Sequence, residues 1–406
     1  MDEETNNFKS LYNLNKPQVI WKNIEADLET PVSALIKLSK NKKYSFLLES
    51  VEGGITRGRY SAIGVNPDLI WQCKNGKSEL YHSEINSNNL ISKSNDPLSS
   101  LKNLINSTKI NLPKDLPPLS AGLFGYLGYD MVKYFEDIHL NDNDPLELPE
   151  SILIRPSLIC IFDRLKDEFM LVTPIWPKKG VSSSQAWSKA QDRLDIAIKE
   201  LNEGLTHSNL PLKPNTFTEF QADTNFKKEE YYNIVDKAKN FILEGDIYQV
   251  VLSQRFKTPF NKSSISFYRA LRRLNPSPFL FHFDFDSFSV VGSSPEILVR
   301  VRDKNCTIRP IAGTRPRGKT PEEDKNNEEE LINDEKERAE HLMLLDLGRN
   351  DVGRVSEPGT VEVTESFSVE KYSHVMHIES EVNGKLREGM TAIDALIAGF
   401  PAGTVS

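Results

Sequence analysis

Long apolar runs are missing from this chain. Nowhere in its 406 residues do apolar positions continue for the roughly 18 that a membrane-spanning helix needs. The opening stretch MDEETNNFKSLYNLNKPQVIWKNIEADLET is polar and mixed in charge, so a secretory leader with its apolar core is not expected. Cysteine is scarce. Cys73, Cys160 and Cys306 stand far apart and without metal-ligand spacing, which argues against zinc and structural disulfides and for a reduced, cytosolic protein. Positive charge is also in deficit. A formal net charge of −8 argues against nucleic acid as a partner, because a phosphate-binding groove needs surplus Lys and Arg. No Gly-x-Ser-x-Gly elbow or His-Glu-x-x-His pair occurs, so hydrolase readings have no anchor. GLFGYLGYD at 122–130 lacks the Lys-Ser/Thr ending of a P-loop and the spacing of a dinucleotide fingerprint. It reads as tight packing of aromatic strands.

What is present suits a large globular protein. The length predicts about two or three domains, and 38% hydrophobic with 9% aromatic residues can supply the core. TPVSALIKLS predicts a helix with Thr30 as cap and Pro31 at its first position. Short β-like runs follow at 44–50, 59–63, 151–154 and 168–172. Trp187, Ala190, Leu194, Ala197 and Leu201 recur at helical spacing over 184–203, with Gly204 closing. The polar stretch 205–224 lacks either periodicity and is expected to be a linker, dividing the chain into regions 1–215 and 225–406. Beyond it the pattern predicts helices over 227–244 and 264–274, a strand over 248–256, and strands to about 310. A charged helix over 321–347 and further strands to about 385 complete it. Helices and antiparallel-looking strands mix without a βαβ rhythm, which predicts an α+β fold.

Several residues can carry chemistry. Glu337 and Glu340 in DEKERAEHLMLLDLGRND share a helix face and make a partial shell for Mg²⁺, which takes its remaining ligands from water and substrate. Spacing alone favours a solvated face on which they pair with Lys336 and Arg338. Gly313 and Thr314 in IRPIAGTRPRG offer a backbone N–H and a hydroxyl to a carboxylate, or make an ordinary turn beside a basic patch. Glu296 in VGSSPE is a general acid if burial raises its pKa, and otherwise a turn residue. His377 in YSHVMHIES suits a base near neutral pH, or a plain hydrogen-bonded strand histidine.

Their order narrows the choice. LLES (47–50), EGDIYQVVLSQRF (244–256), NPSPFLFHF (275–283), VGSSPE (291–296), RPIAGTRPRG (309–318), DEKERAEHLMLLDLGRNDVGRVSEPGTV, YSHVMHIES and FPAGTVS follow one another. This series resembles the anthranilate synthase component I family of chorismate-utilising enzymes, from about residue 30 to the end. The resemblance implies mixed antiparallel sheets packed as a two-layer β core with helices outside. It assigns regulation and partner contact to 1–215 and chorismate catalysis to 225–406.

The reaction implied is Mg²⁺-dependent amination of chorismate followed by pyruvate elimination to anthranilate. Glu337 and Glu340 would serve the metal, directly or through water. Glu296 would protonate the departing hydroxyl and His377 would act in the elimination. Thr404, with Ala312, Gly313, Thr314 and Gly403, falls in substrate-lining motifs. Gln249 stands where water-adding relatives carry lysine; an amide cannot deprotonate water, but ammonia already has its lone pair free. Ala312 stands where aminodeoxychorismate-forming relatives have a lysine able to attack the ring. With no Cys-His glutaminase constellation here, ammonia is expected from a separate glutaminase chain. LLES resembles the tryptophan feedback site, implying contacts from Glu49, Ser50, Asn275, Pro276, Ser277 and Phe279. The family continues past FPAGTVS with further substrate residues and a second glutamate pair, so a chain ending at Ser406 is expected to be an incomplete catalyst. The alternatives are another amine-transfer product or a non-catalytic module binding tryptophan or the glutaminase.

Overall fold

The computed structural model describes residues 3–52, 56–84, 87–140, 144–205 and 222–403. It divides into two compact units, Met1–Thr206 with Ser264–Pro295, and His207–Ser263 with Glu296–Ser406. A single cut at 215–225 therefore misses an excursion. Residues 264–295 belong to the first unit because the helix Ser264–Leu274 buries Tyr268 there. The strand Phe279–Asp284 also takes its ladder from Ser45–Glu49.

The first unit is built on a ten-stranded sheet, and every pairing in it is antiparallel. Its main path runs Gln18–Glu25, Glu168–Ile175, Ser151–Asp163, Tyr60–Lys74, Ser45–Glu49, Phe279–Asp284, Ser289–Ser294. Neighbouring residues point to opposite faces. Leu47, Ile63 and Val65 join Leu35, Leu194, Leu201 and Tyr268 from the helices, while Phe46, Ala62, Ile154 and Phe283 form a second cluster with Leu116. The helix Pro31–Leu38 starts as predicted: Thr30 accepts from the Ser33 N–H, and Ser33 returns the bond. The helix Ser183–Asn202 buries Ala186, Ala190, Leu194, Ala197 and Leu201, and ends at Glu203 in extended conformation rather than at a left-handed Gly204. The aromatic reading of GLFGYLGYD also holds. Phe124–Leu127 is a strand, Phe46 stacks on Phe124 at 4.4 Å, and a Cβ on Gly125 would lie 1.9 Å from the Ile152 carbonyl oxygen.

The second unit holds a five-stranded antiparallel sheet centred on Val375–Lys385. One edge of that strand pairs with Glu362–Lys371, and the other with Asn305–Ile308 and then Ile311–Pro316. Two expectations fail here. The strand over 248–256 shrinks to Phe256–Lys257, paired with Asp223–Thr224. Tyr248, Val250, Val251 and Phe256 are exposed, Tyr248 at 91%, because among the described residues no longer strand lies beside them and β preference depends on a packed neighbour. The charged helix breaks into Pro321–Asn333 and Glu335–Val355. Asp334 turns out of the helix, φ −72 and ψ 113, and caps the second piece. The α+β class stands. Among the described residues no helix is long and apolar enough to cross a membrane.

Candidate functional site

In the second unit the helix Glu335–Val355 begins with the Asp334 carboxylate accepting the Lys336 and Glu337 N–H groups at 3.0 and 3.1 Å. The Glu337 N–H is the largest favourable influence on that carboxyl, and with the Arg315 guanidinium it holds the carboxyl below its ordinary pKa. Helical spacing then sets Glu337, Glu340, Leu344 and Leu347 on one stripe. Glu337 Oε1 lies 3.3 Å from Arg315 Nη1, and Glu340 Oε1 accepts from Gln249 Nε2 at 3.0 Å. Neither glutamate pairs with Lys336 or Arg338; Arg338 lies over the Phe367 ring at 4.8 Å instead. Further along the stripe, Gly403 is so close that a Cβ would lie 2.4 Å from Leu347 Cδ2.

Gly313 explains how the glutamate approaches the sheet. It sits in a β-bulge between Ala312 and Thr314, opposite Ile378 and His377, with φ +76. Glu337 Oε2 stands 3.3 Å from where its Cβ would be. On the strand Val375–Lys385, Met376 and Ile378 are buried with Leu331 on the helix side. Alternation turns His377 and Glu379 to the other face. Gly313 touches both sides, because His377 Nδ1 is 3.1 Å from its carbonyl oxygen. A carbonyl only accepts, so Nδ1 carries the hydrogen, and Nε2 of the neutral ring is left with a free lone pair. Thr314 Oγ1 is also 3.0 Å from Nδ1. Burial pushes His377 below its ordinary pKa, and the bond to Gly313 opposes this.

The His377 face holds residues the motifs did not single out. The Tyr372 ring lies 5.6 Å from the His377 ring. Its phenol is pushed upward by burial, by the Glu379 and Glu370 charges and, more weakly, by Glu296. Tyr372 thus packs against His377 and feels the charge of Glu296. Glu379, 2% exposed, has its carboxyl pushed up to about 7 by burial, against the pull of Arg309. Arg309 Nη2 approaches it at 3.0 Å without hydrogen-bond alignment. Its sequence signal was the two-residue step from His377. Arg315 was missed as well: Nε meets Glu330 at 2.9 Å and Nη2 meets Asp334 at 2.7 Å. It fastens the helix start and Glu337 to the strand that bears Thr314. Thr404 lies outside the described residues.

The donor set suits a hard divalent cation in part. Two carboxylates on one stripe match the one or two that Mg²⁺ takes from protein. Among the described residues no group of three or more His, Cys, Asp and Glu is arranged to hold a metal.

In the first unit the LLES and NPSPF segments meet as expected, since Leu280 pairs with Glu49. Glu49 is buried; Oε1 accepts from Arg164 at 3.0 Å and from Arg272 at 2.8 Å, and Oε2 accepts from the Tyr268 hydroxyl at 2.7 Å. The Ser50 carbonyl accepts the Gly58 N–H at 2.8 Å. Ser293 donates to the Asn275 carbonyl at 2.6 Å and lies 2.7 Å from Ser277 Oγ, which fixes the turn through Pro276. Phe279 is 41% exposed.

Known proteins resemble the chain in sequence and in fold. The family described as chorismate binding enzyme matches residues 45–406. Anthranilate synthase component 1 of Cereibacter sphaeroides is 47% identical, covering 98% of this chain and 80% of its own length. That of Aquifex aeolicus is 43% identical, covering 95% and 77%. The crystal structure of anthranilate synthase component I from Streptococcus pneumoniae has a TM-score of 0.71 at 33% identity, covering 86% of this chain and 74% of that one. By sequence along nearly its whole length, and by fold, the chain belongs to the chorismate-binding enzymes, in the family of anthranilate synthase component 1.

Proposed function

We propose that the chain catalyses amination of chorismate by ammonia and elimination of pyruvate to give anthranilate, within tryptophan biosynthesis. The observation that carries this is the bulge at Gly313, with Glu337 against one side and His377 bonded to its carbonyl. When bound at Glu337 and Glu340, Mg²⁺ supplies a Lewis acid and a template for the ring carboxylate.

The protein's own groups do the rest. Arg315 holds Glu337 beside the bulge, and Gln249 orients Glu340. Glu296 protonates the ring hydroxyl as ammonia adds and water leaves. His377 Nε2 then takes the ring proton as the ring C–O bond to the enolpyruvyl group breaks, and the departing enolate takes up a proton to become pyruvate. The amide of Gln249 cannot generate hydroxide, which leaves ammonia as the nucleophile. Ala312 has no nitrogen with which to trap the ring. Neutral ammonia is scarce at neutral pH, so its source is a separate glutaminase chain.

Tryptophan acts as feedback inhibitor at the junction of Ser50 with Asn275–Phe279. Glu49 already serves three donors, so it frames this site rather than reaching freely into it. Three free, buried cysteines suit the cytosol.

Fluorescence detection of anthranilate from chorismate, Mg²⁺ and ammonium at mildly alkaline pH tests the reading. Anthranilate should form from this chain or from the same chain joined to the family's continuation past FPAGTVS, and Glu337→Gln should reduce that turnover at least about tenfold, as loss of an electrostatic contact at the reacting centre does. Accumulation of an amino-deoxy product without anthranilate would overturn it.

A further inference from the structure

The first unit contains a cavity of about 770 Å³ with no part in the scheme above. The helix Ser183–Asn202 contributes Lys189, Arg193 and Ile196 to its lining, which also includes Asp68, Trp176 and Lys178. The charges do not balance. Asp68 accepts from Arg155 Nε and Nη2, both at 2.7 Å, and Lys178 Nζ approaches it at 3.6 Å. The Arg155 guanidinium is stacked 3.9 Å over the Trp176 ring, which fixes that pair. Arg193 donates to the Ser157 carbonyl at 3.2 Å and to the Thr173 hydroxyl, both neutral. Among the described residues it forms no ion pair.

One carboxylate therefore faces three cations. The other acids lining the cavity do not redress this: Glu200 is matched by Lys42 at 2.6 Å, and Asp192 is offset by Lys189 in the same lining. A guanidinium held by neutral acceptors keeps donors free in a fixed plane, the arrangement suited to a carboxylate. Burial lowers the Arg193 pKa, with Asp68 opposing; the group stays cationic all the same. Beside these charges lie apolar surfaces from Ile175, Val181 and Ile196. The volume falls in the range of roughly 300–1,000 Å³ of small-molecule sites.

We propose that this cavity binds a small organic anion with an apolar body, an aromatic carboxylate in the simplest case. Its charge rests on Arg193 and Lys178, and its ring lies against Trp176 and Ile196. The site is separate from the LLES and NPSPF junction, shares no residue with it, and does not depend on the reaction proposed above.

Calorimetric titration of the whole chain at low ionic strength with benzoate, and in parallel with inorganic phosphate, tests this. Benzoate should bind saturably and more tightly than phosphate. Arg193→Gln, which removes a charge-assisted contact, and Ile196→Glu, which sets a carboxylate against the anion, should each weaken it at least about tenfold. Ile196 is 57% exposed, so its variant keeps the test decisive if Arg193→Gln fails to fold. No saturable benzoate binding, or unchanged binding in folded Ile196→Glu, overturns the proposal. Phosphate binding as tightly as benzoate overturns the apolar-body assignment.

Discussion

His377 owes its character to one backbone atom. Gly313 accepts the Nδ1 hydrogen and burial disfavours the cation, so the ring stays neutral below the usual histidine value of 6.5. A base works only when deprotonated, so the acid limb of kcat/KM for anthranilate formation should lie below pH 6.5. A limb unchanged in His377→Asn would move the assignment elsewhere. Glu379 titrates nearby and calls for a separate measurement. Its folded pKa is about 7 against an ordinary 4.5, so the folded state favours the protonated form. The stability this confers is complete below 4.5 and lost as pH rises through 7. Across that window the protein should lose on the order of 3 kcal/mol, seen as a falling melting temperature. Glu379→Gln should flatten the fall; a variant that melts with the same pH slope would show that another group is responsible.

At the scale of elements, legibility in the sequence followed local chemistry. Thr30-Pro31 announced its helix, and the stripe from Ala190 to Leu201 announced another, because caps and periodicity act within a few residues. The break at Asp334 was hidden inside an unbroken charged run, since Asp is compatible with a helix surface as well as with its cap. The residues of 248–256 carry strand preference, but a strand exists only with a partner, which no local pattern supplies. The motif residues Glu296, Gly313, Thr314, Glu337, Glu340 and His377 were all visible in the sequence. Tyr372, Glu379 and Arg315 stood in the same motifs but were not singled out, because their roles arise from register and from the approach of the helix to the sheet.

The bulge gives an element-scale prediction. Gly313→Ala places a Cβ at φ +76, with Glu337 Oε2 3.3 Å away. Gly359→Ala at φ +81 meets nothing within 4 Å and isolates the backbone cost of about 1–2 kcal/mol. Both should melt earlier, but only Gly313→Ala should lose the thermal shift produced by Mg²⁺. Equal Mg²⁺ responses in the two variants would separate Gly313 from the metal site.

At the scale of the whole chain, the proposed regulation and catalysis are carried by different units. The tryptophan set lies in the first, whereas Gln249, Glu296, Glu337, Glu340 and His377 lie in the second. Ser50→Ala should therefore raise the tryptophan concentration for half-inhibition about tenfold, as expected for removal of a polar contact. The uninhibited kcat should stay unchanged. A matching fall in kcat would show that the two functions are not separable by residue.

The Glu49 carboxylate has a consequence for how the protein is made. Two of its three donors, Tyr268 and Arg272, stand 219 and 223 positions further along the chain. They arrive only after the ribosome has passed through the first segment of the other unit. Until then a charge destined for the interior lacks most of its partners, and the strand Ser45–Glu49 lacks one of its two neighbours. Contacts this distant in sequence close slowly. The emerging first unit therefore waits, an open sheet edge exposed, for a segment that has not yet been translated. Within this unit, the order of synthesis and the order of assembly cannot coincide.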